Sequence, residues 1–116
     1  MPHIHLETTS DLPENADVPD ILEALVTRLS SLESVSSSSV KAYHSLRSVW
    51  KVGEGHADGI AHCTVMILAG RSEELRVQMA DAMFETLKLQ FAGSLEANEV
   101  GVTLELREMA RETYRK

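Results

Sequence analysis

Two residues far apart in this chain are of the types that acid–base and anion chemistry need, Pro2 and Arg71. Pro2 follows Met1. Once that methionine is trimmed, the proline ring nitrogen becomes a free secondary amine. An unperturbed α-amino group titrates near ~7.7–8.0. Partial burial or a neighbouring cation lowers that value, because both disfavour the charged form. An amine that is neutral near pH 7 is a usable general base. The plainer reading of Met1-Pro2 is a start with no chemical role. Arg71 follows Gly70 and precedes Ser72-Glu73-Glu74, the pattern of a capped helix start. Backbone N–H groups at such a start bind anions. An arginine fork beside them binds carboxylates through two parallel bonds. The plainer reading of Arg71 is an exposed turn residue.

Both positions need elements to hold them. Residues 3–8 alternate Ile4 and Leu6 with polar neighbours, which is strand periodicity. Thr9 to Asn15 has loop composition. Asp17 is placed to cap a helix, with Pro19 and Asp20 in its first turn. Ile21, Leu22, Leu25, Val26, Leu29 and Leu32 then recur at helical spacing. The serine run Ser34–Ser39 reads as a solvated connection. Val40 to Val52 reads as a strand, with a slip in alternation near Arg47-Ser48 that predicts a bulge. Gly53, Gly55 and Asp58-Gly59 mark a turn. Ile60–Leu68 is the most apolar strand, rich enough to be buried on both faces. Ser72 caps a long second helix that carries Leu75, Met79, Met83, Phe84, Leu87, Phe91 and Leu95. Asn98 to Gly101 ends it, and Val102, Leu104 and Leu106 form a last strand. Arg107–Lys116 reads as a short charged tail.

The element order is β-α-β-β-α-β, an α+β fold of two β-α-β units. Each crossover helix implies parallel, right-handed pairing within its unit. The expected product is a four-stranded mixed sheet with both helices on one face. The other face is then bare, and the apolar Ile60–Leu68 strand predicts its burial against other subunits.

At 116 residues the chain is expected to be one domain spanning 1–116. A chain of this length folds alone but gains from oligomerisation. Lys plus Arg is 11 against 18 Asp plus Glu, a net charge of −7, which excludes a nucleic-acid binder of the usual basic kind. A local cationic pocket for a small acid remains compatible with that balance. Cys63 stands alone inside an apolar run and reads as a small buried hydrophobe, so no disulfide forms within one chain. No apolar run reaches the length of a signal or membrane segment. The expectation is a cytoplasmic protein with no membrane partner.

Pro2-His3 with Glu7, then Trp50, then His62 through Ala69-Gly70-Arg71-Ser72-Glu73, together with the spacing from His56 to Ser72, carry a family likeness. On these stretches and the doubled β-α-β layout, the chain resembles the tautomerase superfamily. Within that superfamily it resembles the 5-carboxymethyl-2-hydroxymuconate isomerases. The resemblance covers essentially the whole chain, with the N-terminus and the Ala-Gly-Arg-Ser turn its specific parts. It implies a homotrimer of β-α-β-β-α-β subunits. It implies proton transfer between oxygen and carbon of an unsaturated keto or hydroxy acid, with no cofactor. Carried over by position, Pro2 is the base and Arg71 a contact for the substrate carboxylate or oxyanion. The second strand departs from the family, with Lys41 and Tyr43 at the places of an arginine pair. Lys41 keeps a charge but loses the fork, and Arg47 lies on the same strand as a substitute. The substrate implied is a small di- or tricarboxylate, met in bacterial breakdown of aromatic acids.

Trp50 reads either as pocket wall or as core or interface packing, and His3 as a hydrogen-bonded strand residue that lines the pocket or the interface. Five histidines, His3, His5, His44, His56 and His62, invite a metal reading, with His44 and His62 on paired strands. No Cys or acid accompanies them at ligand spacing, and no metal is expected. Two alternatives stand beside the isomerase. One is another tautomerase activity, and the other is a non-catalytic trimeric binding module.

Overall fold

The computed structural model describes residues 1–55 and 57–116. The His56 part of the sequence reading therefore lies outside the described residues. Strand β1 (His3–Thr9) leads through a 3₁₀ turn (Pro13–Asp17) to helix α1 (Val18–Ser30). A second 3₁₀ turn (Ser37–Ser39) precedes β2 (Lys41–Arg47). Strand β3 (Gly59–Leu68), α2 (Glu73–Gln90), α3 (Ala92–Glu96) and β4 (Val100–Met109) complete the chain. The strand order is β2-β1-β3-β4. β1 pairs in parallel with β2, β3 in parallel with β4, and β1 antiparallel with β3. The two β-α-β units thus meet at the central β1–β3 pair, in the mixed sheet that the element order implies.

One apolar cluster joins sheet and helices. Ile4 and Leu6 from β1, with Ala61, Cys63, Val65 and Ile67 from β3, point to the helix side. Ile21, Leu25 and Leu29 of α1 and Met79, Met83 and Leu87 of α2 cover them. These helix positions recur every three or four residues, so one face of each helix is apolar. Each fully buried side chain of this kind contributes about 1.5–3 kcal/mol.

Several boundaries differ from the sequence reading. β2 stops at Arg47 instead of running to Val52. Among the described residues it is an edge strand with β1 as its one neighbour, and β1 ends at Thr9, which is paired with Arg47. Beyond it Val49 is 91% exposed. The second helix breaks at Phe91, whose backbone leaves the helical region (φ −116°, ψ 22°) as its ring turns fully into the core. A short α3 follows and ends at Asn98 in the left-handed conformation (φ 56°), which asparagine tolerates. β4 continues to Met109 because β3 offers partners along its whole length, from Gly59↔Val100 to Leu68↔Met109. Asp17 precedes α1 but its side chain makes no capping hydrogen bond.

The Ile60–Leu68 run is not apolar on both sides. Its helix side is wholly apolar, whereas its open side carries Ile60, His62, Thr64, Met66 and Leu68. Beside them on that face lie His3, His5 and Glu7 of β1 and Lys41, Tyr43 and Ser45 of β2. The uncovered face is therefore polar in its middle. His44 and His62 are not on paired strands either, because β1 lies between β2 and β3. His44 points to the helix side, where its Nε2 bonds Thr8 Oγ1 at 2.7 Å.

Candidate active site

The antiparallel β1–β3 pairing sets the start of β1 beside the end of β3. Pro2, just before β1, is buried there, and its carbonyl accepts from the Lys41 N–H at 3.0 Å. A cavity of about 190 Å³ opens beside it, lined by Met1, Pro2, Leu68, Arg71 and Arg111 and by the serine loop through Ser34, Ser36 and Ser39. Arg71 reaches this cavity because Gly70 turns the chain sharply at φ 130° and Ser72 then caps α2, accepting from the Leu75 N–H at 3.1 Å. Its guanidinium does not stand open. Nε donates to Ser34 Oγ at 2.8 Å, Nη2 to the Ser34 carbonyl at 2.9 Å and Nη1 to the Leu68 carbonyl at 3.2 Å. Ser34 itself holds a positive φ of 70°, a conformation that costs a non-glycine residue about 1–3 kcal/mol and persists where its surroundings enforce it. Arg71 is part of that enforcement.

The chain's amino terminus, here on Met1, is held below its ordinary value. Burial is the largest cause, followed by the charges of Lys116, Arg71, Lys41 and Arg111. Four of the chain's 11 Lys and Arg residues thus act on one amine in an acidic protein. His3 sits next to it, opposite Lys41 in the sheet. Its Nε2 pairs with the Tyr114 hydroxyl at 2.9 Å, and burial, Lys41 and the amino terminus lower its pKa. The Tyr43 ring lies edge-on to His3 at 6.2 Å.

Arg47 and Trp50 lie elsewhere. The register runs from His3↔Lys41 to Thr9↔Arg47, so Arg47 is six positions along β1 from His3, about 20 Å away. There Arg47 grips Glu7, with Nη2 at 2.6 Å and Nε at 3.0 Å from the same oxygen. Trp50 Nε1 donates to the Asp58 carbonyl at 2.9 Å. Both line a second cavity of about 170 Å³ together with Glu7, Ile60 and His62. Within one subunit the structure brings Pro2, His3, Lys41 and Arg71 together and leaves Arg47 and Trp50 at the opposite end.

The sequence reading missed two parts of the first cavity, its serine wall and Arg111, and the Tyr114 contact that holds the tail beside it. Ser34, Ser36 and Ser39 form its wall, so the serine run is not merely a solvated connection, and Ser39 is 9% exposed. Arg111 and Tyr114 lie in what reads as a charged tail, which in fact folds back over the start of β1. The one aromatic in that tail, Tyr114, was the available signal. Among the described residues no three His, Cys, Asp or Glu side chains come together as a metal site, and no helix is long and apolar enough to cross a membrane.

The model of the 5-carboxymethyl-2-hydroxymuconate isomerase family matches residues 2–116. The chain belongs to that family. It is similar to the 5-carboxymethyl-2-hydroxymuconate Delta-isomerase of Escherichia coli, with 27% identity over 110 residues, covering 94% of this chain and 87% of that protein. It also superposes on a 5-carboxymethyl-2-hydroxymuconate isomerase from Deinococcus radiodurans R1 with a TM-score of 0.86 and 28% identity, over 99% of this chain and 87% of the other. A more distant likeness, in fold alone, is to a fused 4-OT wild type symmetric trimer (TM-score 0.73, 20% identity, 98% and 90% coverage). Family membership makes this chain an isomerase of the tautomerase fold.

Proposed function

We propose that this isomerase acts on 5-carboxymethyl-2-hydroxymuconate or a similar unsaturated hydroxy or keto acid, with Pro2 as the base once Met1 is removed. The observation that carries the reading is the cavity where Pro2 meets a cluster of cations in an otherwise acidic chain. The Pro2 amine would inherit the field that now acts on Met1. Burial and the cations Arg71, Lys41, Arg111 and Lys116 would lower its pKa and so favour the neutral, basic form. It takes the proton from the enol oxygen and returns the same proton to a carbon of the conjugated system. The C=C bonds shift and no electrons are gained or lost. The intermediate is an oxyanion, and the cations that line the cavity stabilise it. His3 and Lys41, opposite each other in the sheet beside Pro2, serve as binding groups. Arg71 contributes its charge, while its fork holds Ser34.

Arg47 and Trp50 can reach a Pro2 cavity only from a neighbouring copy of the chain. A homotrimer supplies such a neighbour, and the symmetric trimer of the 4-OT relative supports that assembly. The family name supports a place in aromatic-acid catabolism. The free thiol of Cys63 suits the reducing cytoplasm.

The test is an ultraviolet isomerisation assay with 5-carboxymethyl-2-hydroxymuconate on protein whose intact mass shows loss of Met1. Pro2→Ala is expected to lower kcat by about 10²-fold or more, the usual contribution of a positioned base. In the parent, kcat/KM rises with pH through the amine's titration, with a midpoint below that of an ordinary α-amino group. Parent-like turnover by Pro2→Ala, or equal turnover by protein that retains Met1, sinks the proline mechanism.

A further inference from the structure

We propose that Arg111, at the start of the C-terminal tail, is the fork that grips a substrate carboxylate in the Pro2 cavity, and that Arg71 is a positioning residue for the cavity wall. The inference rests on the functional reading above and deepens it. Arg71 and Arg111 line the same cavity, but their guanidinium groups are used differently. All three nitrogens of Arg71 already donate to Ser34 or Leu68. Arg111 spends only Nε, on the Ala69 carbonyl. Among the described residues neither of its Nη groups takes a protein acceptor, so four N–H donors in one plane stay available. A planar pair of such donors matches a carboxylate through two parallel bonds.

The plane is also fixed in advance. It lies against the backbone of Gly70, with Nε and Nη2 at 3.4 Å from the place a β carbon would take there. Of the acids flanking it in sequence, Glu112 forms no ion pair with it among the described residues, and Glu108 is engaged elsewhere. It pairs with Arg76 at 3.6 Å and accepts from the Gly70 N–H at 3.4 Å. The tail that carries Arg111 is pinned at both ends. The Ala69 N–H bonds the Met109 carbonyl at 3.0 Å, and Tyr114 bonds His3. A held, uncompensated guanidinium beside Pro2 has lost little freedom still to lose on binding.

The test measures equilibrium binding of tricarballylate, a saturated tricarboxylate, by titration calorimetry at fixed ionic strength. Parent, Arg111→Ala, Arg111→Lys and Arg71→Ala are compared as full-length, Met1-free protein. Arg111→Ala is expected to weaken binding by about tenfold or more, the usual loss for a hydrogen bond to a charged group. Arg111→Lys falls between, since it keeps the charge and the fold but not the fork. With glutarate, which has one carboxylate fewer, the Arg111→Ala penalty shrinks. Arg71→Ala is expected to show a lowered Tm with a smaller loss of affinity. Equal affinity in parent and Arg111→Ala overturns the inference, as does a parent that binds no tricarballylate. Arg111-dependent binding by a parent that isomerises no hydroxymuconate leaves the carboxylate site standing and refutes the substrate reading instead.

Discussion

Replacing Gly70 by alanine perturbs the one turn that positions both arginines of the Pro2 cavity. Gly70 has φ 130°, where a side chain is strained whatever space surrounds it. A residue held in that region costs about 1–3 kcal/mol. Removing glycine from the unfolded chain offsets about 0.4–1 kcal/mol of this. The new β carbon would stand 3.4 Å from the Arg111 guanidinium, close but not overlapping, so packing adds little. The net loss is about 1–2 kcal/mol. A chain of 116 residues unfolds with an entropy of about 0.24 kcal/mol per kelvin, from ~2.1 cal/mol/K per residue. Gly70→Ala is therefore expected to lower Tm by about 4–8 °C. The assay is thermal unfolding followed by circular dichroism at one fixed protein concentration, because association shifts Tm. Gly53→Ala is the control, since a β carbon there meets nothing within 4 Å and the backbone is not left-handed. It is expected to be neutral or slightly stabilising. Equal Tm values for Gly70→Ala and Gly53→Ala would refute the argument that Gly70 is required by its backbone.

Cys63 is fully buried, and burial pushes its thiol up to about 12. Iodoacetamide at pH 8 is expected to leave the native protein unlabelled and to modify it fully in guanidinium chloride, as mass spectrometry would show. Rapid labelling of the native chain would contradict the described core. The hydrogen bond from Arg47 is the main cause holding Glu7 below the usual carboxylate range. A group lowered in the folded state stabilises above its unfolded pKa and loses that contribution as pH falls through its folded value. Arg47 is 54% exposed, so the pair contributes no more than about 1 kcal/mol. The gap in urea midpoint between parent and Glu7→Gln is expected to close on going from pH 7 to pH 3, and a gap that widens would contradict a lowered Glu7 pKa in the folded chain.

Much of the fold was legible because its signals are local. Ile4 and Leu6 alternate as a strand must, Leu25 and Leu29 repeat as a helix must, and Ser72 accepts from the Leu75 N–H as a cap does. The misread boundaries all depend on a partner. β2 ends where β1 ends, β4 continues while β3 continues, and α2 breaks where Phe91 is drawn into the core. Propensity carries no information about such neighbours.

The site divides in the same way. Pro2 and Arg71 were visible from their types and flanking residues as candidates for a base and an anion contact. Their meeting was decided by the antiparallel β1–β3 pairing, which sets the start of one strand against the end of the other. The same register sent Arg47 and Trp50 to the far end of the sheet, because parallel pairing moves β2 away from Pro2 step for step with β1. Arg111 stands 109 positions after Pro2, and nothing local to it speaks of a cavity. Only the folding back of the tail over β1, fastened by Tyr114 on His3, brings that charge to the amine. Residue type and periodicity determined what chemistry the chain can do; the sheet register decided which charges share a cavity with Pro2.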